Sequence, residues 1–445
     1  MELWDKISVL AGAAKYDASC ASSGSGAANG REGNSFSGRQ FGNAPNFGVS
    51  VPAGVCHSWT EDGRCISLLK VLFSNVCRFD CAYCVNRVSA DSRRTSFTVD
   101  ELVDLTCEFY RRNYIEGLFL SSGIFADPDI VMEKLIETAR KLRNEAGFAG
   151  YIHMKIIPGS GPKMIQEAGL WADRLSANIE LPTDSSLQYL APQKSGKLIM
   201  GAMEETFSSA AENEEDKRKF ALGGRNIVPS FAPAGQSTQL IVGASPENDR
   251  TIINLSGALY KKYALRRVYY SAFIPVGMPG GYGIPDSRLP EIPGQSLATT
   301  KFEAPRFLMR REHRLYQADW LLRFYRFSPG EILEGEDGFL DAALDPKTAW
   351  ALRHLDFFPV EVNRADYDDL LRVPGIGAKT GRRIIETRRS RSISFENLRR
   401  LGVVLKRARY FITASGSYIE KPEDPLRIRR VLSDEEALQP LLFEF

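Results

Sequence analysis

Cys77-Arg-Phe-Asp-Cys81-Ala-Tyr-Cys84 is the stretch on which the reading of this 445-residue chain turns. Its spacing is C-x3-C-x2-C, it follows directly on a short apolar run at 67–73, and Tyr83 precedes the last cysteine. Three thiolates on a loop at the end of a strand can hold three irons of a cubane cluster and leave the fourth iron an open position. Structural zinc asks for four closed ligands, often as paired C-x2-C knuckles, and the sequence has no second knuckle. A ferredoxin-type cluster needs a fourth cysteine with its own spacing. Cys20, Cys56, Cys65 and Cys107 lack compact ligand spacing, and lone cysteines are usually buried as small apolar groups. The alternative for Cys20, Cys56 and Cys65, with or without His57, is an auxiliary cluster.

Outward from this loop the pattern is regular. Strand candidates at 67–73, 117–120, 151–157, 175–181, 238–242 and 267–274 alternate with helix candidates at 98–112, 128–146, 162–170, 213–222 and 246–263. Pro128 near a helix start and Gly147 past its end are the expected terminal signals. Such alternation predicts an α/β fold of parallel strands with helices outside, as an open sheet or a full or partial barrel. Six strands fall short of the eight of a closed barrel, and in either form the functional loops follow the C-terminal strand ends. On the fourth strand Asn178 and Glu180 alternate to one face.

The flanks are less patterned. Residues 2–15 predict one amphipathic helix, and 18–54 are rich in Ser, Gly, Ala and Asn, as a flexible loop or an ordered lid. Residues 276–300 read as a proline- and glycine-rich loop, followed by a helix at 306–327 carrying Trp320, Phe324 and Tyr325. The resulting division is 1–60 as an N-terminal segment, 61–300 as the barrel, 301–358 as a helical connector, 359–420 as a small all-α unit and 421–445 as a tail. At 43% hydrophobic, 25% charged and 10% aromatic residues, disorder, collagen-like repeats and a disulfide scaffold are excluded. No stretch approaches the roughly 18–20 apolar residues of a membrane helix. The acidic N-terminus lacks secretion-signal features, which predicts a cytoplasmic chain whose thiols stay reduced.

In the C-terminal unit, Pro374-Gly375-Ile376-Gly377 separates helix candidates at 365–372 and 378–389. Gly375 and Gly377 permit a tight turn with N–H groups open to an anion, Ile376 packs between the helices, and the second helix adds its N-terminal donors. Residues 371–410 hold twelve Lys and Arg against two Glu, a net +10, so the chain's overall +2 conceals a −8 remainder. A basic surface beside such a turn is the footprint of phosphate-backbone binding. The segment 390–401 resembles the start of a second, degenerate unit of the same kind.

The cysteine loop after the first strand resembles the hallmark of the radical S-adenosylmethionine (SAM) superfamily. The resemblance implies a partial (β/α)6 barrel with a [4Fe–4S] cluster on Cys77, Cys81 and Cys84. There, S-adenosyl-L-methionine binds the unique iron and is cleaved reductively to a 5′-deoxyadenosyl radical, with flavodoxin or ferredoxin as reductant. It further implies SAM contacts from Tyr83, from Ser122 and Gly123 in a turn that lacks the family's glutamate, and from Lys155, Asn178 and Glu180. The segment 239–243 loosely resembles the strand that flanks adenine. The C-terminal unit is similar to the helix-hairpin-helix motif of DNA-processing proteins, which implies nucleic-acid contacts from Gly375, Gly377, Lys379, Thr380, Arg382 and Arg383. The chain as a whole resembles a radical SAM family linked to DNA modification or repair and to uracil-DNA glycosylase-like partners. That likeness rests on 15–20, 57–65, the cysteine loop, 316–325 and the C-terminal turn. The expectation is a DNA-modifying or DNA-repairing enzyme, with Tyr269, Tyr270 and Phe273 as candidates to stack a base. The alternatives are an enzyme of RNA or protein performing methyl or methylthio transfer, and a non-catalytic iron–sulfur nucleic-acid-binding protein.

Overall fold

The computed structural model describes residues 2–14, 55–59, 65–223, 228–274, 287–290, 306–334, 337–420 and 424–433. The readings of 18–54, of Cys20 and of most of 276–300 lie outside them. The chain divides into two compact units, one of Met1–Pro246 with Leu259–Met309 and one of Glu247–Ala258 with Arg310–Phe445.

The first unit is built on a seven-stranded sheet in chain order: β1 (Val55–Trp59), β2 (Cys65–Leu72), β3 (Gly117–Ser121), β4 (Tyr151–Lys155), β5 (Arg174–Ser176), β6 (Gln236–Val242) and β7 (Arg267–Ala272). All neighbours from β2 to β7 pair in parallel, and helices connect them, which makes a curled, partial (β/α)6 barrel. β1 is additional, pairing antiparallel to β2 at the sheet edge, and it falls within the 1–60 segment for which the sequence predicts no strand. Cys56 and Cys65 lie on these two strands.

Side-chain alternation gives the sheet two unlike faces. Leu69, Val71, Leu118, Leu120, Ile152, Met154, Leu175, Leu240, Val268 and Tyr270 turn toward the helices and are almost wholly buried. The other face carries Lys70, Ser121, His153, Lys155, Ser176, Ser237, Gln239 and Ser271, which are also buried. Apolar burial outside therefore closes the barrel, and its interior mixes these polar side chains with Leu68, Leu72 and Phe119. Tyr270 stands on the helix side and is no candidate for stacking a base inside; Tyr269 shares the inner face.

Local signals fix the helices. Thr98 and Glu101 form a capping box at Val99–Arg111, and Asp127 caps Pro128–Asn144 with its proline in the first turn. One helix was only half legible: Gly196–Gly223 runs 28 residues, against an expected 213–222. Its first half buries Ile199, Ala202, Met203, Thr206 and Ser209, and small or polar members blur that stripe in the sequence.

The second unit is mainly helical. Tyr367–Arg372 and Ala378–Arg388 flank the 373–377 turn, and Phe395–Leu401 and Leu405–Ala408 flank a second turn at left-handed Gly402. Two short strands, Val360–Glu361 and Ile412–Thr413, join its ends, and the tail includes a helix at Pro425–Leu432. Its core holds charge. The Arg372 guanidinium lies 3.9 Å from the Phe327 ring centre and pairs with Glu331 at 2.8 Å. Lys347 is buried, sits 4.7 Å from the Tyr325 ring centre and donates to the Ile376 carbonyl at 2.6 Å.

Burial pushes the Lys347 ammonium down to about 7, against the pull of Asp345. A lysine in the unfolded chain titrates near 10.4. Between about pH 7 and 10.4 the unfolded state therefore holds a proton that the folded state lacks, so stability rises with pH across that window and levels off below it. The expected slope from this residue is about 1 kcal/mol per pH unit. Urea unfolding across the window should show this rise in the native chain and a flatter profile in Lys347→Met.

Candidate functional site

The cysteine loop leaves β2 at Phe73 and is tied down before any metal is considered. The Phe73 N–H donates to Ser121 O at 2.7 Å, Gly123 N–H to Ser74 O at 2.7 Å and Arg78 N–H to Ile124 O at 2.9 Å. These bonds fasten the loop to the turn that follows β3. Arg94 closes it from beneath: one guanidinium donates to four backbone carbonyls, those of Asn75, Asn86, Arg87 and Ala90, at 2.6–2.9 Å. Asn75 adds bonds to Arg93 O and Thr95 N. Asp80 holds Ser89, and Ala82 N–H donates to Leu190 O. Sequence reading missed Arg94 because one arginine among many carries no motif.

Cys77, Cys81 and Cys84 face one cavity at the C-terminal edge of the parallel strands. Counting its mouth and the solvent in it, the space is about 1230 Å³. Tyr83, Ser122, Gly123, Lys155, Asn178 and Glu180 line it too, so the three expected cluster ligands and the six expected SAM contacts meet there. Gln239, Ile241 and Phe273 also line it, and Lys194 was not foreseen.

The placements refine the expectations. Asn178 and Glu180 lie beyond β5, which ends at Ser176, on an extension bonded to β6 through Glu180 N–H to Gln239 O and Ile241 N–H to Glu180 O. Asn178 donates to Gln239 Oε1 at 3.3 Å, while its own Oδ1 is buried without a hydrogen-bond partner. Ser122 donates to Gly123 O at 2.8 Å. Gly123 is required, since a Cβ there would lie 2.5 Å from Val76 O.

Charge in the site is organised around Lys194, whose ammonium meets Glu180 Oε1 at 2.7 Å with both side chains nearly buried. It also lies 5.7 Å from the Tyr83 ring centre. Burial disfavours this ammonium, yet Glu180, with Tyr83 and Cys81, more than offsets it and holds the Lys194 pKa well above the ordinary range. The thiols experience the opposite balance. Burial raises Cys81, against the lowering influence of Lys194, and burial with Cys81 nearby pushes Cys84 up to about 12. Two backbone donors already address sulfur: Phe79 N–H to Cys77 Sγ and Asn86 N–H to Cys84 Sγ, each at 3.4 Å.

These features fit a cluster bound by three thiolates. The sulfurs surround one cavity, backbone N–H groups are aimed at two of them, and a fixed cation offsets their charge. Among the described residues no group of His, Cys, Asp and Glu forms a site for a single metal ion. Cys107 is buried within Val99–Arg111, away from this constellation.

In the second unit, the Ile376 side chain is buried at the turn. Gly375 has φ +86°, and a Cβ there would lie 2.6 Å from Val404 O, while one on Gly377 would lie 3.1 Å from the Tyr325 hydroxyl. Lys379, Arg382 and Arg383 are exposed. Thr380 is not: it is buried with its hydroxyl directed to Gly402 O, because helical spacing turns it toward the second turn, so its side chain is withdrawn from any surface contact. The +10 count also overstates the outward charge. Nine of the twelve basic side chains are exposed, whereas Arg372, Arg388 and Arg409 are bound inside by Glu331, by the Val362 and Ala365 carbonyls, and by Tyr410 with Glu420.

Comparison with known proteins adds a likeness of architecture. No family model matches the chain, nor does any curated protein. Among solved structures, the FeFe-hydrogenase maturase HydG from Carboxydothermus hydrogenoformans is similar over 57% of this chain and 49% of its own, at 15% identity and a TM-score of 0.39. Methylornithine synthase (PylB) aligns over 56% and 61%, at 16% identity and 0.36. A radical SAM methyltransferase from Sphaerobacter thermophilus aligns over 59% and 70%, at 14% and 0.35. The chain spans about half the length of the HydG structures. At these identities and scores the similarity is one of fold, and no step of the chemistry rests on it.

Removing Lys194 leaves Glu180 buried without its partner. Lys194→Met should therefore lower stability by about 3–5 kcal/mol, measured by chemical unfolding. Adding Glu180→Gln should restore much of the loss, and a double-mutant cycle without coupling would refute the pairing.

Proposed function

We propose that the first unit is a radical SAM enzyme core. The observation that carries this is the convergence of Cys77, Cys81 and Cys84 with Tyr83, Ser122, Gly123, Lys155, Asn178 and Glu180 on one cavity at the C-terminal strand edge. A [4Fe–4S] cluster and S-adenosyl-L-methionine bound there would supply a one-electron cleavage that yields a 5′-deoxyadenosyl radical. The chain's own residues bind, orient and shield. The three cysteines hold the cluster, and Arg94 fixes their loop. Gly123 lets the cysteine loop pack against the turn after β3, and the Asn178 Oδ1 offers a buried acceptor for an amino or hydroxyl group. Lys155 provides positive charge for a carboxylate, while Lys194 stays paired with Glu180. A small electron-transfer protein of the flavodoxin or ferredoxin class is the natural reductant.

For the substrate we propose nucleic acid, with DNA modification or repair as the leading case and a uracil-DNA glycosylase-like protein as a possible co-worker in the same repair chemistry. The supporting feature is the helix-hairpin-helix-like turn at 374–377 with exposed Lys379, Arg382 and Arg383. Methyl transfer to another substrate is the competing reading, and the product of turnover separates the two.

Anaerobic reconstitution with iron and sulfide, followed by reduction in the presence of SAM, should release 5′-deoxyadenosine from the native chain and none from Cys81→Ser. A loaded cluster that leaves SAM intact under reduction overturns the enzyme assignment. Gly375→Ala would test folding, given the clash with Val404 O, so Lys379→Glu with Arg382→Glu is the sharper probe of the turn. That variant should weaken DNA binding by about tenfold or more and reduce its salt dependence by about two phosphate contacts. Unchanged binding in a gel-shift titration assigns the turn to packing.

A further inference from the structure

The helix Arg306–Phe324 ends on two aromatic side chains that the core does not absorb. Trp320 and Phe324 lie one turn apart, their ring centres 4.4 Å from each other, and are 50% and 44% exposed. Two adjoining rings left half open form a contiguous apolar surface that a flat partner can cover. Arg323 lies over both, 4.6 Å from the Phe324 ring centre and 6.0 Å from that of Trp320, and is held there by Asp319 at 2.8 Å.

What adjoins these rings gives them a ligand class. Tyr325 is the next residue, and the Trp320 side chain and the Ala378 backbone both lie against its hydroxyl. The same hydroxyl lies 3.1 Å from where a Cβ on Gly377 would stand. Through Tyr325, which takes the Ala378 N–H, Trp320 thus borders the first turn of Ala378–Arg388, where the other free N–H groups and exposed Lys379 and Arg382 favour an anion. An aromatic face within a residue or two of a phosphate-favouring turn matches one nucleotide, with its base on the rings and its phosphate at the turn.

We propose that Trp320 and Phe324 form a stacking platform for an unpaired nucleobase of a strand whose phosphate is held at the 374–379 turn. The proposal rests on the nucleic-acid reading of that turn and narrows it to single-stranded or locally opened DNA. In a duplex the bases are stacked on each other and their faces are closed to a side chain, so the platform discriminates by base exposure and not by sequence.

The test uses the full chain and fluorescence anisotropy with one labelled oligonucleotide, presented as a single strand, as a duplex and as a single strand with consecutive abasic positions. Trp320→Ala with Phe324→Ala should weaken single-strand binding by about tenfold, leave duplex binding unchanged, and match the native chain on the abasic strand. Trp320→Phe should retain most of the affinity, which separates lost stacking from lost folding. Equal loss on strand and duplex, or no loss at all, overturns the platform. So does a change in oligomeric state by sedimentation, which would assign the rings to self-association. If Lys379→Glu with Arg382→Glu weakens binding while the aromatic variant does not, the platform fails and the turn stands. If the native chain binds no oligonucleotide, both fail.

Discussion

A strand can send only every second side chain to each of its faces, and the architecture of the first unit depends on how this chain uses that constraint. Six parallel strands place leucine, isoleucine, valine and methionine against the outer helices, where their burial supplies the driving force for closure. The alternate positions are released from that duty. Lys70, His153, Lys155, Ser176, Ser237, Gln239 and Ser271 occupy many of them beside Leu68, Leu72 and Phe119, so the interior is partly polar although it is as inaccessible as the apolar layer. Buried polar side chains are costly unless they are satisfied. Ser121, Lys155, Gln239 and Ser271 are the polar members of that face that line the cavity.

The cavity at the strand ends inherits this arrangement. Its cysteine loop has little regular structure of its own and is positioned by backbone bonds to the turn after β3 and by the four carbonyls gathered on Arg94. Burial pushes Cys81 and Cys84 up, and of the buried Lys194–Glu180 pair the ammonium lowers Cys81 more than the carboxylate raises it. Deprotonating three neighbouring thiols is the electrostatic difficulty of loading a cluster here, and an adjacent cation and sulfur-directed N–H groups reduce it.

The second unit shows why a charge count is not a surface. Arg372 spends its charge on Phe327, Trp350 and Glu331, and Arg388 on two carbonyls, so both belong to the core they appeared to decorate. Lys347 supports the turn from within by taking the Ile376 carbonyl. What remains outward is a smaller set of basic residues around a turn whose Gly375 is demanded by close approach to Val404 O.

Much of this was open to reading in the sequence, for identifiable reasons. The strands β2 to β7 announce themselves as apolar runs separated by helical periods, and Cys77, Cys81 and Cys84 by a spacing that few other sites use. Gly375 and Gly377 do the same for the turn. β1 escaped because a five-residue edge strand after a Ser- and Gly-rich stretch has no period to detect, and half of Gly196–Gly223 because its buried stripe is small and polar. Thr380 was misplaced because a hydroxyl on a helix has no sequence mark of inward or outward aim. Sequence alone determined the α/β repeat, the cysteine constellation and the turn, since each depends on local spacing. Tertiary structure decided the Lys194–Glu180 pair, the Arg94 clasp, the inward arginines and the exposed aromatic pair beside the turn. Those depend on which distant segments meet, and on what burial leaves uncovered.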